Sequence, residues 1–348
     1  MPTGLKIVAY VLAILAVTIA ADRVLAQRLY KEPGRLVPAY RSFNEPSVAV
    51  KLHALDETKV HLDTLVLGNS RTYAAVNPDV LDHRLSERGV KAESFNLAQP
   101  TIDTRFWPPF FERFYDRAPP RNVLLGLIPR DLDVRNPVAV AQTRAFQASP
   151  GFVDHERTQV WKDAEEALAD LYELRGRGNE IRHAGPKRLL RGDKLDHPGF
   201  RPRGNRGWAI FDPSLVLPKS ELAANAKRLA HRSGKIRLRV GHDQLAALER
   251  LDRLVRLDGG CLTLFTPPLL YDREPLGTVE VQREFERVLR AFVRKHPTVA
   301  LIDIGPRVQR TYDLSDFADG DHTSPAGARR FSRELADAVA ERLRPGAC

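Results

Sequence analysis

The chain has 348 residues, which is enough for one sizeable domain with an insertion or for two small domains. Of these residues, 43% are hydrophobic and 28% are charged, and the formal net charge is +10. Its two cysteines, Cys261 and Cys348, exclude a disulfide framework, and Cys261 lies in an apolar run typical of a small buried thiol. The sequence contains no HExxH, CxxC or EF-hand pattern, so it predicts no built-in metal site and no cofactor.

The N-terminus has the pattern of a targeting segment. Residues Ile7–Ala21 are apolar throughout and are followed by Asp22 and Arg23. A membrane span needs about 20 residues, and Val24–Ala26 can complete one if the two charges lie near the interface. Val24–Ala26 also resembles a small-residue cleavage site, so a cleaved signal peptide is the alternative. We expect residues 1–27 to be an uncleaved signal anchor.

The flanking charges leave the orientation of this anchor open. Arg23, Arg28 and Lys31 follow the apolar run and Lys6 precedes it, a bias that favours a cytoplasmic body. Long domains, however, translocate largely regardless of such charges. The orientation therefore depends on the family resemblance given below.

Beyond a linker at 28–60, residues 61–345 alternate short apolar runs with amphipathic stretches. Continuous apolar runs separated by helical patterns predict a parallel sheet with helices on both faces. The predicted strands are Thr64–Gly68, Ser94–Leu97, Asn122–Ile128, Gly260–Phe265 and Val299–Asp303. The first predicted helix begins at Asn77–Pro78 and ends near Gly89. Three further helical patterns cover Asp243–Leu257, Val279–Lys295 and Pro325–Leu343.

An insertion at 145–218 interrupts this alternation. Asp154–Leu174 has a helical pattern, and the following stretch is rich in Gly, Pro, Arg and His without periodicity. We interpret the insertion as a lid or binding loop, with a solvated surface excursion as the alternative. Ten basic residues face three acidic ones between Arg175 and Arg206, which indicates an anionic surface or polymer as partner. The candidate polyanion-binding residues are Lys187, Arg188, Arg191, Arg203 and Arg206.

Nucleic acid is a poor candidate for that anionic polymer. The export segment would separate the chain from it, and few aromatic residues alternate with the basic ones to stack on bases. We therefore expect no nucleic-acid partner.

A serine follows the first predicted strand, in Gly68–Asn69–Ser70–Arg71. That position lies at the carboxyl edge of a parallel sheet, where ligands and catalysis are usually found. Near the far end, Asp319–Gly320–Asp321–His322 precedes a helix for which Ser324 is the predicted N-cap and Pro325 the first residue.

These two segments contain the residue types of a nucleophilic site. Serine needs a base to remove its proton, and the base must be held by a third group. We therefore predict Ser70 as nucleophile, His322 as base and Asp319 as the orienting acid, with Asp321 as the competing acid. The structural alternatives are an ordinary serine in the turn after the strand and a structural histidine at the helix entrance.

With this order of motifs, the chain resembles the SGNH (GDSL-like) hydrolase superfamily, and its membrane-anchored DltD-like and alginate-acetylation-type branch most closely. The resemblance implies a three-layer flavodoxin-like sheet and a catalytic triad of Ser70, His322 and Asp319. It also implies O-acyl chemistry on a glycan or glycolipid of the cell envelope, often beside a membrane-bound O-acyltransferase. The globular domain would then be periplasmic, on a single-pass anchor in the inner membrane.

The oxyanion hole departs from the family pattern. The family's second motif supplies a glycine N–H, but the residues after the second strand are Asn96 to Thr101 with no glycine. The third motif supplies an asparagine, which is absent from Ile128–Pro129–Arg130–Asp131. The candidates left for oxyanion or substrate contacts are Asn96, Thr101, Arg71 and Arg130.

We expect a serine-dependent enzyme that transfers or hydrolyses an acyl group, most plausibly acetyl, on an envelope polysaccharide or glycolipid. The alternative is a non-catalytic envelope component with the same fold, which binds an anionic glycan or a partner in export or acylation.

Overall fold

A computed structural model of the chain shows two compact units, Met1–His53 with Ala145–Phe200, and Ala54–Arg144 with Arg201–Cys348. The described residues of the first unit are almost all in one N-terminal helix, and those of the second form an α/β domain. The predicted helix at Asp154–Leu174 lies outside the described residues. The structure describes residues 3–29, 51, 55, 61–100, 102–114, 120–135, 143, 206–208, 217–233, 238–257, 259–268, 278–302, 312–319 and 322–344.

The described residues of the second unit contain a five-stranded parallel sheet. Its spatial order is β2-β1-β3-β4-β5, the flavodoxin-like order, in which the direction of strand addition reverses at β1 while all strands stay parallel. Gly68 at the end of β1 lies beside Gly126 at the end of β3. The strands are β1 Thr64–Gly68, β2 Ser94–Asn96, β3 Asn122–Gly126, β4 Cys261–Phe265 and β5 Ala300–Ile302.

Helices connect these strands in chain order. Two of them begin where the sequence predicts: Asn77 caps α3 by accepting the Asp79 N–H at 3.0 Å, and Ser324 caps α9 by accepting the Gly327 N–H at 3.2 Å. Within the described residues, the α-helices are α1 Thr3–Leu29, α2 Ser70–Ala75, α3 Pro78–Glu87, α4 Trp107–Phe114, α5 Pro129–Leu132, α6 Lys219–Ser233, α7 His242–Leu257, α8 Thr278–Lys295 and α9 Pro325–Val339.

Both faces of the sheet are buried. Val66 and Leu124 face one side, where α3 and α9 cover them with Leu81 and Phe331 among others. Side chains alternate across a strand, so the buried Leu65 faces the opposite side. On the second side α7 packs against β4 and against α4. The predicted architecture, a parallel sheet with helices on both faces, is confirmed.

The N-terminal helix α1 is long and apolar enough to cross a membrane. Its segment Ala9–Arg28 has a mean hydropathy of 1.9, and only 6% of the segment is buried within the protein. A signal sequence meets the same criterion, so the helix is compatible with either an anchor or a signal.

Cys261 in β4 is buried and disulfide-bonded. The expectation of a free buried thiol was therefore wrong. The apolar run around Cys261 predicts burial, but the sequence gives no distance between the two cysteines, and distance decides whether they pair.

Candidate active site

Ser70 is the first residue of α2 and follows the end of β1 by two positions. The Asn69 side chain caps the helix by accepting the Arg71 N–H at 2.9 Å. The Ser70 N–H has no carbonyl partner within its own helix, because the first amides of any helix lack one. Local structure thus places both the Ser70 hydroxyl and its N–H at the carboxyl edge of the sheet.

Two glycines allow α2 to pack directly on the strand ends. Gly68 has a φ of +143°, a backbone conformation that residues with a side chain rarely adopt. A Cβ at this position would also clash with Thr72 of α2. A Cβ on the neighbouring Gly126 would also clash with Thr72. The close approach of Thr72 to both glycines fixes the start of α2 against the sheet.

The far end of α2 is held by side chains from other parts of the domain. Trp208 donates its indole N–H to the Ala74 carbonyl at 2.9 Å, and Asn96 donates its amide N–H to the Val76 carbonyl at 2.7 Å. Ser332 of α9, whose hydroxyl donates to the Ala328 carbonyl at 2.7 Å, also lies 3.3 Å from the Ala75 carbonyl. A six-residue helix makes few internal hydrogen bonds, so these donors satisfy carbonyls that would otherwise lack partners.

His322 lies in a short loop that a hairpin-like pairing closes. Phe317 and Thr323 form an antiparallel bridge, and the Ala318 N–H donates to the His322 carbonyl at 2.9 Å. Asp319 accepts the His322 backbone N–H at 2.7 Å. The loop therefore holds Asp319 and His322 close together before α9 begins.

The three predicted site residues form one chain of hydrogen bonds. His322 Nε2 is 3.0 Å from Ser70 Oγ, and His322 Nδ1 is 2.9 Å from one Asp319 oxygen and 3.1 Å from the other. The His322 side chain is 22% exposed, so the group is open to a substrate. This arrangement lets the imidazole take a proton from the serine while the carboxylate orients it. Asp321, the competing acid, lies outside the described residues.

Asp131 adds a buried carboxyl that contacts Asn69, the residue before Ser70. Its Oδ2 accepts the Asn69 amide N–H at 2.6 Å and the Ile128 backbone N–H at 2.9 Å. Burial raises the pKa of Asp131 to about 7, although both hydrogen bonds and the Arg71 charge act to lower it. Sequence reasoning missed this link, and its one signal was the Asn69 N-cap pattern.

The oxyanion and substrate candidates have different positions. The Asn96 side chain is buried, with its N–H on Val76 and its oxygen accepting the Ala98 N–H at 3.0 Å, so its amide is engaged with backbone. Arg71 is buried beside Asp131, whose pKa it lowers, whereas Arg130 is exposed on α5. Thr101 lies outside the described residues.

Arg206 is engaged in ion pairs with carboxylates. Its guanidinium contacts Asp82, lies 3.4 Å from Asp79 and 3.2 Å from Glu93, and its backbone carbonyl accepts the Asn96 N–H at 2.8 Å. Arg206 therefore fastens the end of the insertion to α3 and to the edge of β2, which leaves its charge compensated. The other polyanion candidates, Lys187, Arg188, Arg191 and Arg203, lie outside the described residues.

Comparison with solved structures gives distant matches. The chain is similar to a lipase/acylhydrolase from Enterococcus faecalis, with 13% identity and a TM-score of 0.38 over 82% of this chain and all of the other. It is also similar to a lipase from goat rumen metagenome, with 10% identity and a TM-score of 0.39 over the same shares. No protein-family model and no curated protein sequence matches the chain.

Proposed function

We propose that this protein is a serine-dependent acyltransferase or esterase of the SGNH type. The observation that carries the proposal is the continuous hydrogen-bonded chain from Ser70 Oγ through His322 to Asp319. A serine, an imidazole and a carboxylate in this order and at these distances form the arrangement that activates a serine hydroxyl for acyl transfer.

The reaction proceeds through an acyl-enzyme. Ser70 Oγ attacks the ester carbonyl while its proton passes to His322 Nε2, and the carbonyl oxygen becomes an oxyanion near the Ser70 N–H. When the ester bond breaks, His322 returns that proton to the departing alcohol. An acceptor hydroxyl or a water then gives its proton to His322 and attacks the acyl group, which frees the Ser70 hydroxyl.

The substrate we propose is an acetyl ester on a polysaccharide or glycolipid of the cell envelope. The resemblance to the membrane-anchored SGNH branch supports this choice, as does the apolar helix α1. The disulfide at Cys261 supports a periplasmic domain, because disulfides persist mainly in oxidising compartments. The proposal includes the inner membrane as the site of α1 and a membrane-bound O-acyltransferase as partner.

The test is labelling of the detergent-solubilised full chain with a fluorophosphonate probe, together with hydrolysis of p-nitrophenyl acetate. The wild-type chain should label and turn over, and Ser70→Ala should abolish both. Ser86→Ala is the matched control, because Ser86 is exposed on α3 and should not affect either reading. Equal labelling of wild type and Ser70→Ala would disprove the proposed nucleophile.

A second measurement distinguishes transfer from hydrolysis. The acyl-enzyme is offered water alone or water with an acetyl-free envelope polysaccharide, and acetyl ester on the polymer is quantified. Transfer predicts polymer acetylation that depends on Ser70, and hydrolysis predicts acetate release only. If neither activity is found and the polymer still binds, the non-catalytic alternative is favoured.

A further inference from the structure

Asn69 makes two different hydrogen bonds with its one side chain. Its Oδ1 accepts the Arg71 N–H at 2.9 Å and caps the helix that begins at Ser70. Its Nδ2 donates to Asp131 Oδ2 at 2.6 Å, across 62 positions of sequence. The helix cap accounts for the first bond, but it does not require the second one, to Asp131 in α5.

Asp131 links the ends of two neighbouring strands. The oxygen that accepts from Asn69 also accepts the Ile128 N–H at 2.9 Å, which closes the turn after β3. Asp131 is 3% exposed, so the carboxyl exchanges these bonds with water only if the site opens. The turn that follows β1 and the turn that follows β3 are thus joined through one buried oxygen.

Two charged groups act on this carboxyl from other segments. Arg71 of α2 favours its ionised form, and Asp103, which lies in the segment before α4, disfavours it. Hydrogen bonds to a buried carboxylate are strengthened by its charge and by the low local dielectric. A donor left without its acceptor at this depth is costly, so the side chain of Asn69 has one strongly preferred orientation.

We propose that Asp131 is a positioning residue that acts through Asn69 to fix the Ser70 hydroxyl in line with His322. The inference rests on the proposed function, since it assigns Asp131 a part in the same reaction. Ser70 follows Asn69 directly, so any change in the Asn69 orientation moves the nucleophile. A misplacement of about 1 Å costs about 100-fold in rate.

Three variants distinguish the effect of the Asn69–Asp131 hydrogen bond from that of the Asn69 helix cap and from that of the Asp131 charge. Asp131→Leu keeps the branched shape and the number of heavy atoms but removes the acceptor, and Asp131→Asn keeps an acceptor oxygen while it removes the charge. Asn69→Ser keeps a capping oxygen for the Arg71 N–H but is too short to reach Asp131. The control is Asp133→Asn, because Asp133 is also buried but accepts from the Arg135 N–H, at 2.8 Å.

The readouts are kcat and KM for p-nitrophenyl acetate, with the unfolding temperature measured on each sample. We expect Asp131→Leu and Asn69→Ser each to lower kcat about 100-fold with KM little changed. Asp131→Asn should retain most of the activity, and Asp133→Asn all of it. The double variant Asp131→Leu/Asn69→Ser should lose no more than either single one, since both break the same bond.

Failure of this inference differs from failure of the proposed function. Activity that does not depend on Ser70 contradicts the proposed function. Activity that depends on Ser70 but stays at the wild-type level in Asn69→Ser contradicts the positioning role, because only the cap would then matter. If Asp131→Leu does not fold, Asn69→Ser against Asp133→Asn still decides between these outcomes.

Discussion

The indole N–H of Trp208 donates to the Ala74 carbonyl at 2.9 Å, which ties the return end of the insertion to the helix that begins at Ser70. Nine positions further along the chain, the Leu217 N–H donates to the Ala318 carbonyl at 2.8 Å, beside Asp319. The return end therefore contacts both the helix that begins at Ser70 and the loop that holds Asp319 and His322, the residues proposed as nucleophile, acid and base.

Trp208→Phe tests the first of these contacts. The phenyl ring fills only part of the space of the buried indole, and the Ala74 carbonyl loses its donor. We expect the free energy of unfolding to fall by about 1–3 kcal/mol, measured by urea denaturation. Labelling of Ser70 by a fluorophosphonate should also slow, because α2 is less firmly held. An unchanged urea midpoint would contradict this account.

Arg206→Met tests whether Arg206 belongs to the fold or to the polyanion-binding surface. Three carboxylates surround its guanidinium, and Asp82 among them is largely buried. We expect the variant to be less stable, because a buried carboxylate loses its ion pair. The salt concentration that elutes the protein from a dextran sulfate column should stay the same.

The comparison variant for that column is Arg188→Ala/Arg191→Ala, which removes two of the predicted polyanion-binding residues. It should elute at lower salt, since each lost phosphate-like contact weakens polyanion binding in a salt-dependent way. If Arg206→Met lowers the elution salt as much as this variant does, Arg206 contacts the polymer.

The local sequence is enough to predict several strands and helices of the domain and the position of Ser70 after β1. The Thr64–Gly68 run is apolar and ends in a turn motif, and Asn77–Pro78 is a standard helix start; both have the predicted bounds. The chemistry of a serine, a histidine and an aspartate likewise predicted which three side chains would meet, since base and nucleophile must lie within hydrogen-bond reach.

The rest depends on packing that sequence does not encode locally. Asn96 is an amide at the sheet edge, but the carbonyls at the end of α2 take its N–H. Arg206 lies in a basic run, yet the carboxylates that pair with it are in α3 and before β2. Asp131 and Asn69 are 62 positions apart and meet only because β1 and β3 are neighbours.

The Asp131 carboxyl predicts a stability that falls as pH rises. Its pKa in the folded state is about 7, against 3.8 for the ordinary group, so the folded state binds more protons than the unfolded state between these values. Stability therefore decreases from about pH 4 to about pH 7 through this group. Asp131→Asn should remove that part of the slope, measured as urea midpoints at several pH values.

Asp82 is the necessary comparison, because burial raises its pKa to about 6 and adds a similar slope at lower pH. Asp82→Asn should reduce the slope below about pH 6, where both groups contribute, and leave unchanged the part between about pH 6 and pH 7, which comes from Asp131. If Asp131→Asn has the same pH dependence as the wild type, Asp131 does not titrate in this range.

The disulfide at Cys261 predicts how the protein responds to reduction. Cys261 lies in β4 within the sheet, and the chain has one other cysteine, Cys348. A cross-link restricts the unfolded chain and contributes about 2–4 kcal/mol, so dithiothreitol should lower the unfolding temperature of the wild type. Cys261→Ser should have a lower unfolding temperature that dithiothreitol leaves unchanged.

Alkylation of the unreduced, denatured chain isolated from membranes should modify no cysteine, whereas two modified cysteines would place the domain in a reducing compartment.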